Sequence, residues 1–207
     1  MPRLHLALAG ALTAVVVACT GGGGRTDSAP APAPAPAPYT EADVHFMAGM
    51  IVHHAQAVLI AEWAPSHGAS PAIRTVCERI LVSQRDEIAF MQRWLAERGE
   101  RVPEADPSGL EMPGTDHPMT MPGMLTPAQL TELDAAHGAE FDRLFLTYMI
   151  QHHRGAVVMV EDLFSRPGAA QDGEVFRFAA DVSADQLAEI DRMRRMLDAM
   201  SSAEERP

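Results

Sequence analysis

The sequence predicts an all-α protein, a four-helix bundle made of two duplicated helical hairpins, preceded by a signal peptide and a disordered tether. Three observations carry this reading. Strand signals are missing: β-branched runs are few and aromatic residues make up 5% of the chain. Helix-start signals are plentiful, and apolar residues recur at spacings of three and four. One helical motif also occurs twice, roughly a hundred residues apart.

Residues 1–18 are excluded from the fold. Arg3 supplies a small positive start, and Leu4 to Val17 is an apolar run of signal-peptide length, shorter than the ~20 residues a bilayer span needs. The run ends Val16-Val17-Ala18-Cys19, which resembles the lipobox of bacterial lipoproteins, where the cysteine is acylated after cleavage. An ordinary secretory peptide with an incidental cysteine is the alternative, but the residues after Cys19 look like a tether. Residues 19–38 contain Gly21 to Gly24 and then Ala-Pro repeats from Ala29 to Pro38. Gly-rich chain is flexible and Ala-Pro chain semi-rigid, so neither builds a core. No later stretch reads as apolar for long enough to cross a membrane. The expected location is therefore outside the cytoplasm, lipid-anchored to the outer face of a bacterial membrane (periplasm or cell surface), with the anchor as the only membrane contact.

The first hairpin occupies residues 39–102. Thr40 before Glu41-Ala42-Asp43 reads as an N-cap, opening a helix that ends near Pro65. Ser70 with Pro71 opens a second, running to about Gly99. A connector rich in Pro, Gly and Met fills residues 103–125. The second hairpin occupies residues 126–202. Thr126-Pro127-Ala128-Gln129 combines an N-cap, proline at the first helical position and a capping-box glutamine. It starts a third helix that ends near Pro167, with Gly138 able to bend it. The fourth runs from near Asp172 to about Met200.

The chain has 16 basic and 28 acidic residues, and every basic residue is arginine. Such an acidic balance argues against nucleic acid as a partner, since phosphate binding needs a basic face. If Cys19 is lipidated, Cys77 is the remaining thiol and no intrachain disulfide forms. Cys77 sits among Ile73, Val76, Ile80 and Leu81 and reads as a small core residue.

One copy of the repeat reads Asp43-x-x-Phe46-x-x-x-Met50-Ile51-x-His53-His54-x-x-Ala57-Val58. The other reads Asp142-x-x-Phe145-x-x-x-Met149-Ile150-x-His152-His153-x-x-Ala156-Val157. Glu62 and Glu161 also correspond. Each copy has a second echo downstream: Gln84-x-x-Glu87-Ile88-x-x-Met91 and Gln186-x-x-Glu189-Ile190-x-x-Met193. The duplicated unit is a helix pair, whose apolar stripe needs a partner to be buried. Phe46, Met50, His53, Ala57 and Ile60 form one seam of such a stripe, and Met47, Ile51, His54, Val58 and Ala61 the adjoining one. The second copy repeats both. All four histidines therefore replace apolar residues on an inward face, where each ring nitrogen needs a hydrogen bond or a metal.

In one reading the pairs are core residues that bond Gln84 and Glu87, or Gln186 and Glu189, on the partner helix. In the other they are metal ligands. Two tandem pairs, each with a methionine three and four residues upstream, favour a soft or borderline ion, above all Cu(I). Glu87, Glu189, Gln84 and Gln186 then become ligands or groups that orient the imidazoles. The connector adds Met112, His117, Met119, Met121 and Met124 within 13 residues. In a segment too rich in Pro and Gly for core packing these gain nothing from burial, and copper capture is the reading favoured over a chance linker composition. Met196 and Met200, at helical spacing, read as core.

The doubled Met-Ile-x-His-His-x-x-Ala motif, with its later Gln-x-x-Glu-Ile-x-x-Met, resembles the ferritin-like domain-of-unknown-function family number 305, DUF305. The resemblance covers residues 40 to about 200. It implies a four-helix bundle exported from the cytoplasm. Members of the CopM type are periplasmic and bind copper or silver, which carries a ligand role to Met50, His53, His54, Met149, His152 and His153, and less directly to Met91 and Met193. A di-iron centre is not expected, because the chain contains no Glu-x-x-His. No Gly-x-Ser-x-Gly is present either. The expectation is a non-enzymatic copper-binding lipoprotein for metal buffering, sequestration or tolerance. The alternatives are a structural or protein-binding bundle with hydrogen-bonded histidines, and, more weakly, a copper redox enzyme.

Overall fold

The computed structural model describes residues 39–107 and 121–204. Cys19, Met112, His117 and Met119 lie outside them. Five helices are present and no strand is found among the described residues: α1 (Glu41–Glu62), α2 (Pro71–Glu97), α3 (Pro127–Ala135), α4 (Ala139–Ser165) and α5 (Gly173–Glu204). The starts of α1, α2 and α3 follow from their capping residues. Thr40 accepts the Asp43 amide at 3.3 Å while Asp43 accepts the Thr40 amide at 2.7 Å, a reciprocal box that uses two otherwise orphaned donors. Ser70 caps α2, and Thr126 with Gln129 closes the same kind of box at α3.

The four long helices form two hairpins, α1 against α2 and α4 against α5, and the hairpins meet through α1 and α4. The two motif aspartates tie them together crosswise. Asp43 at the start of α1 accepts the Ala170 amide at 2.7 Å, in the turn of the second hairpin. Asp142 at the start of α4 accepts the Ser70 amide at 3.1 Å, in the turn of the first. Both are buried, so each carboxylate is kept in the core by the orphaned donor it satisfies.

Two expectations need correction. The third helix is not continuous from Thr126 to Pro167. Ala136 is extended and Gly138 has φ +58°, a region that favours glycine, so the chain leaves the helix and re-enters as α4. The break is anchored from the first hairpin: the Gly138 amide donates to the His67 carbonyl at 2.8 Å, and His67 Nε2 donates to the Asp134 carbonyl at 2.9 Å. The second correction concerns α1, which is long and apolar enough to cross a membrane, with mean hydropathy 1.4 over its most apolar window. Yet 78% of that window is buried inside the protein, and every residue from Phe46 to Ala57 is buried. A helix that is apolar all round is one covered all round. Here α2, α4 and the strap Met121–Leu125 each take a side.

Cys77 is a core residue, 2% exposed, and burial together with the nearby Asp142 carboxylate pushes its thiol up to about 12. No reactive thiolate forms there.

Candidate metal centre

His53, His54, Met50, His152, His153 and Met149 are all fully buried, as the seam spacing predicts. α1 and α4 bring the two copies together at their centres: the rings of His53 and His152 lie 3.9 Å apart between centroids, tilted by 37°. The outer histidine of each pair donates to a carboxylate on its own hairpin partner. His54 Nε2 meets Glu87 Oε2 at 2.5 Å, and His153 Nε2 meets Glu189 Oε2 at 2.7 Å. His53 Nε2 donates to the Pro122 carbonyl at 3.0 Å.

These partners fix a proton on each ring they bond. A carbonyl and a carboxylate can only accept, so Nε2 of His53, His54 and His153 carries a proton. None of those three Nδ1 atoms has a hydrogen-bond partner, and neither nitrogen of His152 meets hydrogen-bond geometry, although the His53 backbone acts on its ring. Burial, with the neighbouring His54 next, lowers His53 to about 3. His152 is pushed well below the usual histidine range by burial, then by His53, His153 and His54. Both rings are therefore neutral, which is the form that binds a metal.

Gln84 and Gln186 are buried as expected, but neither bonds a histidine. Both amide atoms of Gln84 and the Gln186 carbonyl oxygen are unpartnered. Glu87 and Glu189 instead do the orienting, and both act on Asp185, which is pushed up by partial burial and then by these two carboxylates. Met91 and Met193 are fully buried, Met91 sharing a core cluster with Met50 and Met193 one with Met149. Among the described residues no group of three or more His, Cys, Asp or Glu is placed to hold a metal. A metal at the histidine cluster would need thioether ligands to complete its shell.

The end of the connector, Met121 to Leu125, is a packed strap, which the expected linker composition does not show. Met121 is only 8% exposed and packs on Val52, with Met124 and Met159 against them. The expectation that Met121 and Met124 lack a packing role is thus corrected. The physical cause lies at the variable positions of the repeat. Gln56 accepts the Leu125 amide at 2.7 Å and donates to its carbonyl at 3.2 Å. Its counterpart in the second copy is Gly155, where a Cβ would stand 2.0 Å from the Pro122 carbonyl oxygen. A side chain grips the strap on one helix, and the absence of one makes room for it on the other. A glycine inside a helix, where the first copy has glutamine, is the sequence signal that could have revealed it.

A family model described as domain of unknown function (DUF305) matches residues 43–197. A DUF305 protein from Streptomyces coelicolor, solved as a candidate secreted protein, is 26% identical with a TM-score of 0.65, covering 77% of this chain and 94% of its own. A DUF305 fragment from Deinococcus radiodurans is 29% identical at TM-score 0.64, covering 78% and 99%. CopM in its Cu(I)-bound form is 28% identical at TM-score 0.56, covering 78% and 98%. An uncharacterized protein of Acanthamoeba polyphaga mimivirus is 34% identical over 56 residues, and the match spans only 37% of that relative.

Proposed function

Since the chain belongs to the DUF305 family, we propose that it is a non-enzymatic, extracytoplasmic protein that holds a soft metal ion, Cu(I) foremost, at its buried histidine cluster. The observation that carries this reading is the pair of buried, neutral imidazoles at the centre, His53 and His152, whose Nδ1 lone pairs have no donor, with the Nδ1 atoms of His54 and His153 also unpartnered beside them. An unpartnered buried acceptor costs roughly 1–3 kcal/mol. A cation that takes the lone pair removes that cost. The carboxylate–histidine pairs at Glu87 and Glu189 are the arrangement that fixes a ligating imidazole and raises its basicity. A fully hydrogen-bonded core would also use the glutamates, but it leaves the Nδ1 atoms unexplained.

CopM, related in fold, was solved in Cu(II)-, Cu(I)- and Ag-bound forms, which supports a copper-type ion. The proposed donors are His53, His54, His152 and His153 with Met50 and Met149, and with Met91 and Met193 from the partner helices. Met112, His117, Met119, Met121 and Met124 are further soft donors in the connector. The role is buffering, sequestration or tolerance, with the protein held at the membrane by acylated Cys19. Cys19→Ala should move it from the membrane fraction to the soluble one, and an unchanged distribution would sink the anchor.

The test of the site is Cu(I) competition against a chromogenic chelator, anaerobically, with untagged protein. His53→Leu/His152→Leu should weaken binding by about tenfold or more, some 1.4 kcal/mol or above. Equal competition by the variant would overturn the reading.

A further inference from the structure

A groove of about 310 Å³ opens beside the strap. It is lined by the first half of α1, the second half of α4, and Met121 and Pro122 of the strap. Pro122 thus stands between two compartments: it lines the groove while its carbonyl bonds His53. The groove wall carries a donor set of one chemical character. Met121 and Met159 are thioether residues of its lining, Met124 packs against the same small cluster, and His45 is an imidazole in the same lining. His45 is half-buried and makes no hydrogen bond, ion pair or ring contact among the described residues. At the rim Arg166 is neutralised by Asp162, which it grips through Nε at 3.0 Å and Nη2 at 2.7 Å.

We propose that this groove is a second soft-cation site, in which Met121, Met159 and His45 bind Cu(I) or Ag(I). It shares Met121 with the donors proposed for the connector but none of the histidine cluster. Two thioethers and one imidazole suit a soft monovalent ion and offer nothing to Mg²⁺ or Ca²⁺, which demand oxygen ligands. Methionine that only fills a gap is enclosed by its neighbours. Met159 is instead partly exposed on the wall of an open groove that it shares with the imidazole of His45.

The test uses full-length protein with ¹³C-labelled methionine methyls and Ag(I) in chloride-free buffer. The Met121 and Met159 methyl resonances should move on Ag(I) addition, in the wild type and equally in His54→Leu/His152→Leu, neither of which bonds the strap. Met159→Leu, a near-isosteric change at a partly exposed position, should lower the stoichiometry by about one ion per chain. His45→Asn should do the same if Met159→Leu folds poorly. Silent groove methyls in a protein that still binds Ag(I) at its histidines would overturn the groove alone. An absence of Ag(I) binding anywhere would overturn the groove and the histidine reading together. Loss of the groove shifts in the histidine double variant would also overturn the proposal, because the site would then not be independent.

Discussion

His53 and His54 are adjacent in the chain yet commit their Nε2 protons to different partners, one to a backbone carbonyl and the other to a carboxylate. That both are buried was legible, because each replaces an apolar residue on a seam repeated in the second copy. The tautomer was legible only in part. Glu87 and Glu189 are visible as an echo at fixed spacing, whereas the Pro122 carbonyl lies 69 residues away and carries no side-chain signature. The buried neutral rings predict an acid sensitivity. In the folded state His53 holds its proton only near pH 3 and His152 is also far below 6.5, while in the unfolded chain both titrate near ~6.5. Below that pH the unfolded chain takes up protons that the folded one refuses, so stability falls as pH falls. Each group contributes up to about 1.4 kcal/mol per pH unit. Urea midpoints of chelator-treated protein between pH 7 and pH 5 should therefore drop, and His152→Leu should flatten the slope by about one proton's share. An unchanged slope in the variant would show that His152 is not held neutral.

Among the elements, capping residues placed the starts of α1, α2 and α3, whereas α4 starts at Ala139 behind Gly138 with no side-chain cap, and the Pro-Gly-rich connector misled. Composition suggested a copper-capturing segment whose methionines have no packing role, but Met121 to Leu125 form a strap laid along α1 and α4. Its fixing points are Gln56, Gln151 and Gly155, all at positions where the two copies differ, and a search for the repeat discards such positions. Gln151 reaches the Gly123 carbonyl at 3.4 Å. Gly155→Ala separates two opposing effects. Alanine favours the helix by roughly 1 kcal/mol, but its Cβ would stand 2.0 Å from the Pro122 oxygen, so the strap must lift. Lifting it loses the two Gln56–Leu125 bonds and exposes Met121, a cost of about 1–3 kcal/mol. The variant should be less stable by urea unfolding, and a gain in stability would mean the strap contributes little. The same residue-level view explains the split of the third helix. Gly138 was legible as a bend, but its anchor on the His67 carbonyl belongs to the other hairpin.

For the whole molecule, the internal repeat predicted the architecture because a hairpin with one apolar stripe must find a second. The copies meet at α1 and α4, and their motif aspartates reach across to the opposite turn. Self-similarity could not reveal that the pair is asymmetric at its centre, where His53 is bonded to the strap and neither ring nitrogen of His152 meets hydrogen-bond geometry. Nor could the sequence show that α1, membrane-like in hydropathy, is the covered central helix. In the proposed site the two hairpins together present unprotonated Nδ1 atoms to a metal. Long-range ¹H–¹⁵N correlation of the histidine rings reads that directly, in metal-free protein and after Cu(I) addition. The expected result is the Nε2–H tautomer for His53, His54 and His153 without metal, and a large shift of Nδ1 resonances in the cluster when Cu(I) binds. Protonated Nδ1 atoms, or ring resonances indifferent to Cu(I), would contradict it.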